Sequence, residues 1–320
     1  MADVDCVVVG AGISGLITAR NLAQAGVSTI VFDKGRSVGG RLATRRIGDA
    51  RLDHGAQFMT ARSDAFAAQL ADWQARGLAD VWCHGFERDD GHARWIGLNG
   101  MNSLAKDLAS DLDVRVDHRV FAAAWEHDMW QVTCDDASSV MASTLVLTAP
   151  TPQSFSFVFE AVGTLPRELS SADHDRTIAL LAALDSPSAL TGSGARQEPS
   201  NDIAFIVDHA VKGISPVPAI TMNTSPSWSE RYWDAPSEEI EQALVDLIEP
   251  FLGSASIVEQ QVKKWRFATP RATWSTPCWS DEEFQLVVAG DAFGGPRVEG
   301  AFLSGLAAAE TISQWCTQRR

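Results

Sequence analysis

Cys6-Val7-Val8-Val9-Gly10-Ala11-Gly12-Ile13-Ser14-Gly15 is the stretch that decides the fold. Cys6 to Val9 is a short, wholly apolar run, as in a parallel strand buried on both faces. Gly10, Gly12 and Gly15 follow at the G-x-G-x-x-G spacing. The first glycine makes a tight turn, the second lets the backbone approach a phosphate, and the third lets helix and strand pack closely. Ser14 lies inside the same turn, where the helix N-terminus offers N–H groups and partial positive charge. Leu16, Ala19 and Ala23 continue at helical spacing as far as Gly26, a natural residue just past a helix end. A second strand over 28–32 ends at Asp33, where a carboxylate can take ribose hydroxyls. The unit reads as dinucleotide-binding, and this motif alone does not separate NAD from FAD.

Outward from this unit, Ser63 reads as the N-cap of a helix carrying Phe66, Leu70 and Trp73, broken at Gly77. Residues 82–96 read as strand and turn. A short helix carries Leu104, Leu108 and Leu112, and 122–134 reads as a hairpin about His127-Asp128. The apolar run 144–147 closes at Ala149-Pro150. From about 151 the character changes: strand-like stretches at 177–184, 203–207, 219–222 and 257–262 surround one clear helix with Ile240, Leu244, Ile248 and Phe251 on one face. Residues 286–289 return to the buried-strand pattern, and a terminal helix starts at about Val298. The expected architecture is α/β, a Rossmann-type domain with an inserted mixed α+β substrate domain. Its expected boundaries are 1–62, 99–150 and 285–320 for the first domain, and 63–98 with 151–284 for the second.

Composition narrows the function classes. Asp and Glu number 41 against 26 Lys and Arg, a formal net charge of −15, which argues against a protein that grips nucleic acid by neutralising phosphates. The cysteines, Cys6, Cys83, Cys134, Cys278 and Cys316, are scattered and form no CxxC, so reduced thiols in a cytoplasmic protein are expected. The acidic start, Met1-Ala2-Asp3-Val4-Asp5, is unlike a signal peptide, and the apolar run Cys6 to Gly12 is far too short for a membrane span, so a soluble, unprocessed chain is expected. His84 and His92 have no ligand-like partners, so no metal is expected. No G-x-S-x-G elbow is present.

Further motifs point to a flavin. Arg36-Ser37-Val38-Gly39-Gly40-Arg41 resembles the second FAD motif of amine-oxidase-like and glutathione-reductase-like flavoproteins, in which the backbone and a fixed cation approach the pyrophosphate. Gly290-Asp291, followed by Gly294-Gly295-Pro296-Arg297-Val298, resembles their C-terminal motif, in which the Asp meets the ribityl or phosphate region. The helix after it points its N-terminus at the flavin pyrimidine and favours negative charge there.

One family is similar over nearly the whole chain. Asp53-His54-Gly55-Ala56-Gln57-Phe58-Met59-Thr60 resembles the D-x-G-A-Q-[YF]-x-T segment of renalases, especially the bacterial ones. Arg94-Trp95-Ile96-Gly97, Trp265-Arg266-Phe267-Ala268-x-Pro270 and 297–305 resemble three further renalase segments. The resemblance implies a hydroxybenzoate-hydroxylase-like fold and an FAD-dependent oxidase of the wrongly reduced 2- and 6-dihydro isomers of NAD(P)H, with O2 as second substrate and H2O2 as product. It implies that Ser14, Arg41, Gln57 and Phe58 contact FAD or line its site. Lys34, Gly40, Ala56 and Val120 are placed beside the cofactor with them, together with Asp291 and Val298. Gln57, Trp265 and Trp274 are the candidates nearest the chemistry, the two tryptophans as possible walls of an aromatic pocket. His54 reads as a local structural residue. Residues 219–225 hold no histidine, where bacterial relatives carry one near the substrate carboxamide. Two rivals share these motifs: a flavin amine oxidase, and a flavin-binding redox protein of low turnover. The lone tyrosine, Tyr232, excludes a two-tyrosine cage of the kind amine oxidases often use.

No cysteine lies in a flavinylation segment, so FAD is expected to be held non-covalently. The purified protein should be yellow, and denaturation should release FAD, not FMN, into the supernatant. Colour that stays with the precipitate would contradict this.

Overall fold

A computed structural model describes residues 2–162 and 173–318. The chain runs through β1 (Val4–Val9), α1 (Ile13–Gln24) and β2 (Thr29–Phe32), a hairpin of β3 (Thr44–Ile47) and β4 (Ala50–Asp53), α2 (Asp64–Ala75), and a hairpin of β5 (Ala79–Cys83) and β6 (Arg94–Gly97). Next come α3 (Asn102–Leu108), β7 (Asp113–Arg115), β8 (Val120–Glu126), β9 (Met129–Cys134), β10 (Ser139–Leu147) and α4 (Thr151–Val158). After 173 follow β11 (His174–Leu184), β12 (Ala195–Ser200), β13 (Ile203–Asp208), β14 (Ala219–Thr224), α5 (Pro226–Tyr232), α6 (Ser237–Leu252) and β15 (Ile257–Pro270). The chain closes with β16 (Trp279–Asp281), β17 (Leu286–Val288) and α7 (Val298–Gln318).

The first sheet has the order β16-β17-β10-β1-β2-β7, and the β8–β9 hairpin joins it through β9. Pairing among β17, β10, β1, β2 and β7 is parallel throughout. The C-terminal strand thus lies in the sheet of the N-terminal one, as the apolar runs predict. Helix α1 is pressed between this sheet and α7. A Cβ added at Gly15 would collide with the Gly10 carbonyl, and one at Gly305 of α7 would collide with the Ser14 carbonyl. The Thr18 hydroxyl donates to the Gly305 carbonyl at 3.0 Å across the crossing.

The second sheet, β12-β13-β14-β11-β15, is antiparallel. One face packs Ile178, Leu180 and Ile220 on Ile240, Leu244 and Ile248 of α6. On the other face Ala179, Leu181 and Ala219 pack on Ile47, Ala50 and Leu52 of the β3–β4 hairpin. That hairpin is the apolar joint between the two halves.

Three segments lie elsewhere than the sequence reading puts them. Phe66, Leu70 and Trp73 of α2 share a core with Leu16, Leu22 and Phe302, so this helix packs with the first sheet's layer. Val158 and Val162 pack with Val120 and Trp130 against the same sheet, and β16 pairs with β17. An amphipathic pattern marks the buried face of a helix but not the core that the face will meet. Leu112, expected within the third helix, lies beyond its end at Leu108.

The backbone contact at Gly305 leaves no room for a side chain. Gly305→Ala should cost about 1–3 kcal/mol, the usual cost of overpacking, read as a lower denaturant midpoint. An unchanged midpoint would mean that the two helices part easily.

Candidate functional site

A cavity of about 370 Å³ opens between the glycine turns of the first sheet and the face of the second. Its phosphate-like end is built by β1 and α1. Gly10 has φ 110°, and a Cβ there would meet Thr148 Oγ1 at 2.6 Å. A Cβ at Gly12 would meet nothing within 4 Å, so the bare backbone faces open space. The Ser14 hydroxyl lines the cavity and is buried without a hydrogen-bond partner. No acidic residue occupies the first turn of α1, so no side chain of the helix's own first turn offsets its positive end. A cradle with an unpartnered hydroxyl at a helix N-terminus suits a diphosphate. The second glycine motif closes on the first: Gly39 N–H donates to the Ala11 carbonyl at 2.7 Å, and a Cβ at Gly40 would stand 3.5 Å from Gly12 Cα.

Asp33, expected from the motif at the ribose position, is not among the residues that line the cavity and does local work. One carboxylate oxygen accepts the Ala11 N–H at 2.7 Å and the other the Gly35 N–H at 2.7 Å. Asp33→Ala therefore loosens both turns, beyond any loss of a ribose contact.

Arg41 and Asp291, both on the cavity wall, form a two-pronged ion pair, with Nη1 2.6 Å from Oδ2. Arg41 Nη1 also donates to the Ala268 carbonyl at 3.1 Å, tying the pair to β15. Val298, the first residue of α7, and Ala56 line the cavity too. Glu299 is turned away: its Oε1 accepts from the backbone N–H of Arg62 and of Ser63 and from the Ser63 hydroxyl. Burial raises its pKa, but these hydrogen bonds outweigh that and hold the carboxyl below its usual range.

Trp265 and His54 form the facing wall. Their rings stack with centroids 5.3 Å apart, and Trp265 Nε1 donates to the His54 carbonyl at 2.8 Å. Burial, then the nearby Lys263 charge, push the His54 pKa down to about 4, so the ring is neutral near pH 7.

The remaining candidates stand off the wall. Gln57 Nε2 donates to the Asp53 carbonyl at 2.8 Å, and its Oε1 accepts from Lys212 Nζ at 3.4 Å. Lys212 Nζ in turn lies 2.8 Å from Asp53 Oδ2, both side chains being fully buried. Gln57 thus belongs to a buried polar knot beneath the cavity. Phe58 packs on Phe86 and Phe205, of which Phe205 reaches the cavity. Trp274 packs on Phe293 and does not line the cavity. Val120 is buried at the start of β8 and does not line the cavity, and Lys34 is exposed and reaches Gln153 at 3.4 Å. Asn223 and Arg297 also line the cavity; both stand in segments that the sequence singles out, 219–225 and 290–298, but the motifs assign neither a role there.

The comparisons accord with this geometry. The family model described as flavin containing amine oxidoreductase matches residues 64–313, and an NAD(P)-binding Rossmann-like domain model matches 8–72. The chain belongs to the flavin containing amine oxidoreductase family. FAD is its cofactor. An L-amino acid dehydrogenase of Synechocystis is 36% identical over 70 residues, a segment spanning 22% of this chain and 15% of that relative. Cyclohexylamine oxidase from Brevibacterium oxydans superposes with TM-score 0.71 at 15% identity, covering 99% of this chain and 100% of that one. A fatty acid isomerase from P. acnes superposes with TM-score 0.69 at 12% identity, covering 98% of each chain. At such identities the superpositions show the fold alone. Among the described residues no helix is long and apolar enough to cross a membrane, and no group of side chains could hold a metal ion.

His54 gives a pH signature. An unfolded imidazole takes its proton near pH 6.5, and the folded one near pH 4. Between these values the unfolded chain binds more protons, so stability falls as pH drops, by roughly 3 kcal/mol for this group at full effect. His174 and His209, also held below their usual range by burial, add slopes of the same sign. His54→Gln should flatten part of the stability curve from pH 6.5 to 4 in denaturant titrations. An unchanged slope would mean that folded His54 protonates freely.

Proposed function

We propose that the protein is an FAD-dependent oxidase that takes hydride from isomeric dihydronicotinamide dinucleotides, the 2- or 6-dihydro forms of NAD(P), and passes the electrons to O2, giving NAD(P)+ and H2O2. The observation that carries this reading is the charge inventory of the cavity. Among the described residues its wall holds one carboxylate, Asp291, and Arg41 neutralises it. No carboxylate is left over to hold an ammonium group. A dihydronicotinamide becomes an aromatic cation when hydride leaves, so no proton need be removed. FAD, when bound, supplies the two-electron acceptor.

The chain's own part is positioning and exclusion of water. Gly12, Ser14 and the N-terminus of α1 suit the cofactor diphosphate. Trp265 and His54 offer a flat wall for a planar ring. Arg297, exposed at the rim and without an ion-pair partner among the described residues, suits the diphosphate of a dinucleotide substrate. None of the five free cysteines lines the cavity, in keeping with non-covalent FAD. Tyr232 stacks on Trp228 at 4.2 Å away from the cavity, so no tyrosine cage surrounds an amine. A small dinucleotide substrate, with no membrane or nucleic-acid partner, suits a cytoplasmic enzyme.

Anaerobic mixing of the yellow protein with 6-dihydro-NAD should bleach the flavin rapidly, while amines should leave it oxidised. Bleaching by amines alone would sink the proposal in favour of an amine oxidase. Arg297→Ala should raise KM for the dinucleotide several-fold and leave kcat nearly unchanged.

A further inference from the structure

The first turn of α7 carries a carboxylate that nothing above uses. Val298 and Ala301 of that turn line the cavity, and Glu299 between them does not. Among the described residues, no backbone or side-chain acceptor takes the N–H groups of Val298, Glu299 and Gly300. The first group of the helix with a partner is the Ala301 N–H, which reaches the Arg297 carbonyl at 3.0 Å. The opening N–H groups of a helix have no partner within it and carry its positive end. At the cavity wall they suit the negative charge that a flavin gains on reduction.

A carboxylate in the first turn ordinarily draws on the positive end of its own helix. Glu299 is committed elsewhere. The residue is 8% exposed, and its Oε1 accepts from the N–H groups of Arg62 at 2.9 Å and Ser63 at 2.7 Å and from the Ser63 hydroxyl at 2.7 Å. Ser63 is the N-cap of α2, and its hydroxyl accepts from the Phe66 N–H at 3.4 Å. The carboxylate therefore sits on the N-terminus of a second helix, with the Arg62 charge nearby. Oε2 accepts no hydrogen bond from the described residues. The segment that ends at Ser63 begins with His54, Gly55 and Ala56 on the cavity wall. The bond to Glu299 thus ties that wall to the helix at the cofactor end.

We propose that Glu299 is a positioning residue: it fastens the first turn of α7 to the N-terminus of α2, which keeps the free N–H groups of 298–300 directed at the flavin. The N-terminus of α2 in turn absorbs a negative charge that would otherwise oppose the reduced cofactor. The inference needs FAD in the cavity and does not depend on the dinucleotide reading.

The test uses the FAD-loaded protein and sulfite, which bonds through sulfur to flavin N5 and leaves negative charge on the pyrimidine ring. Binding is read from the visible spectrum, and the midpoint potential is measured in parallel. FAD content and the denaturant midpoint report whether each variant is folded. Glu299→Ala should weaken sulfite binding about fivefold and lower the potential. Ser63→Ala keeps the carboxylate but removes one of its donors, and should weaken sulfite binding about twofold. Glu299→Gln keeps an acceptor oxygen for the three donors and sheds the charge. It should bind sulfite at least as tightly as the unaltered protein does, a result that misfolding cannot produce. Unchanged sulfite affinity and potential in a folded Glu299→Ala variant would overturn the proposal. So would a loss in Glu299→Gln as large as that in Glu299→Ala. If Glu299→Ala does not fold, Ser63→Ala decides by the same readout, and unchanged affinity there overturns the proposal. No nucleotide substrate enters these measurements, so failure of the dinucleotide reading leaves their outcome standing.

Discussion

Helix α1 is held by two backbone contacts that admit no side chain, Gly15 on the Gly10 carbonyl and Gly305 on the Ser14 carbonyl. The first presses the helix onto β1 so that its N-terminal N–H groups open beside the glycine turn. The second seats α7 against α1 and thereby fixes where Val298 enters the cavity wall. Everything at the cofactor end of the cavity takes its position from these contacts. A one-carbon displacement at either would move the positive end of α1 away from the place where negative charge must sit.

The opposite wall is held differently. Between the β3–β4 hairpin and the second sheet the contact is apolar, Leu52 and Ile47 against Leu181 and Ala179. Within it lies a fully buried ion pair, Lys212 with Asp53. Burial pulls the Lys212 pKa down, and Asp53 acts against that pull. Such pairs seldom add much net stability, but removing one partner strands the other in a medium that cannot solvate it. The pair therefore specifies how segment 53–57 meets the loop after β13, and that segment carries His54 and Ala56 to the wall.

The glycine turn, Asp33 and the parallel core were legible because their chemistry is local. The spacing of three glycines and an apolar run states a backbone conformation directly. Arg41 and Asp291 were legible as motifs, though their pairing with each other over 250 residues was not. Gln57 and Phe58 stand near the site in sequence, yet their side chains turn into a polar knot and an aromatic cluster behind it. A linear motif fixes the path of the backbone and leaves the side-chain direction to packing. Glu299 could not be paired with Ser63 from the sequence, because only the fold brings together residues 236 positions apart. The same limit applies to α2, whose buried stripe was evident while its destination was not.

Arg41 couples the two halves of the molecule. Its guanidinium holds Asp291 on one side and a carbonyl of β15 on another, so it is a shared bond between the nucleotide half and the second sheet. A bound anion that draws on this guanidinium changes the coupling of the two halves in the same act. By linkage, whatever stiffens that coupling must also change the affinity for the anion, and by an equal free energy. Cofactor retention and the rigidity of the joint are then one quantity observed from two sides.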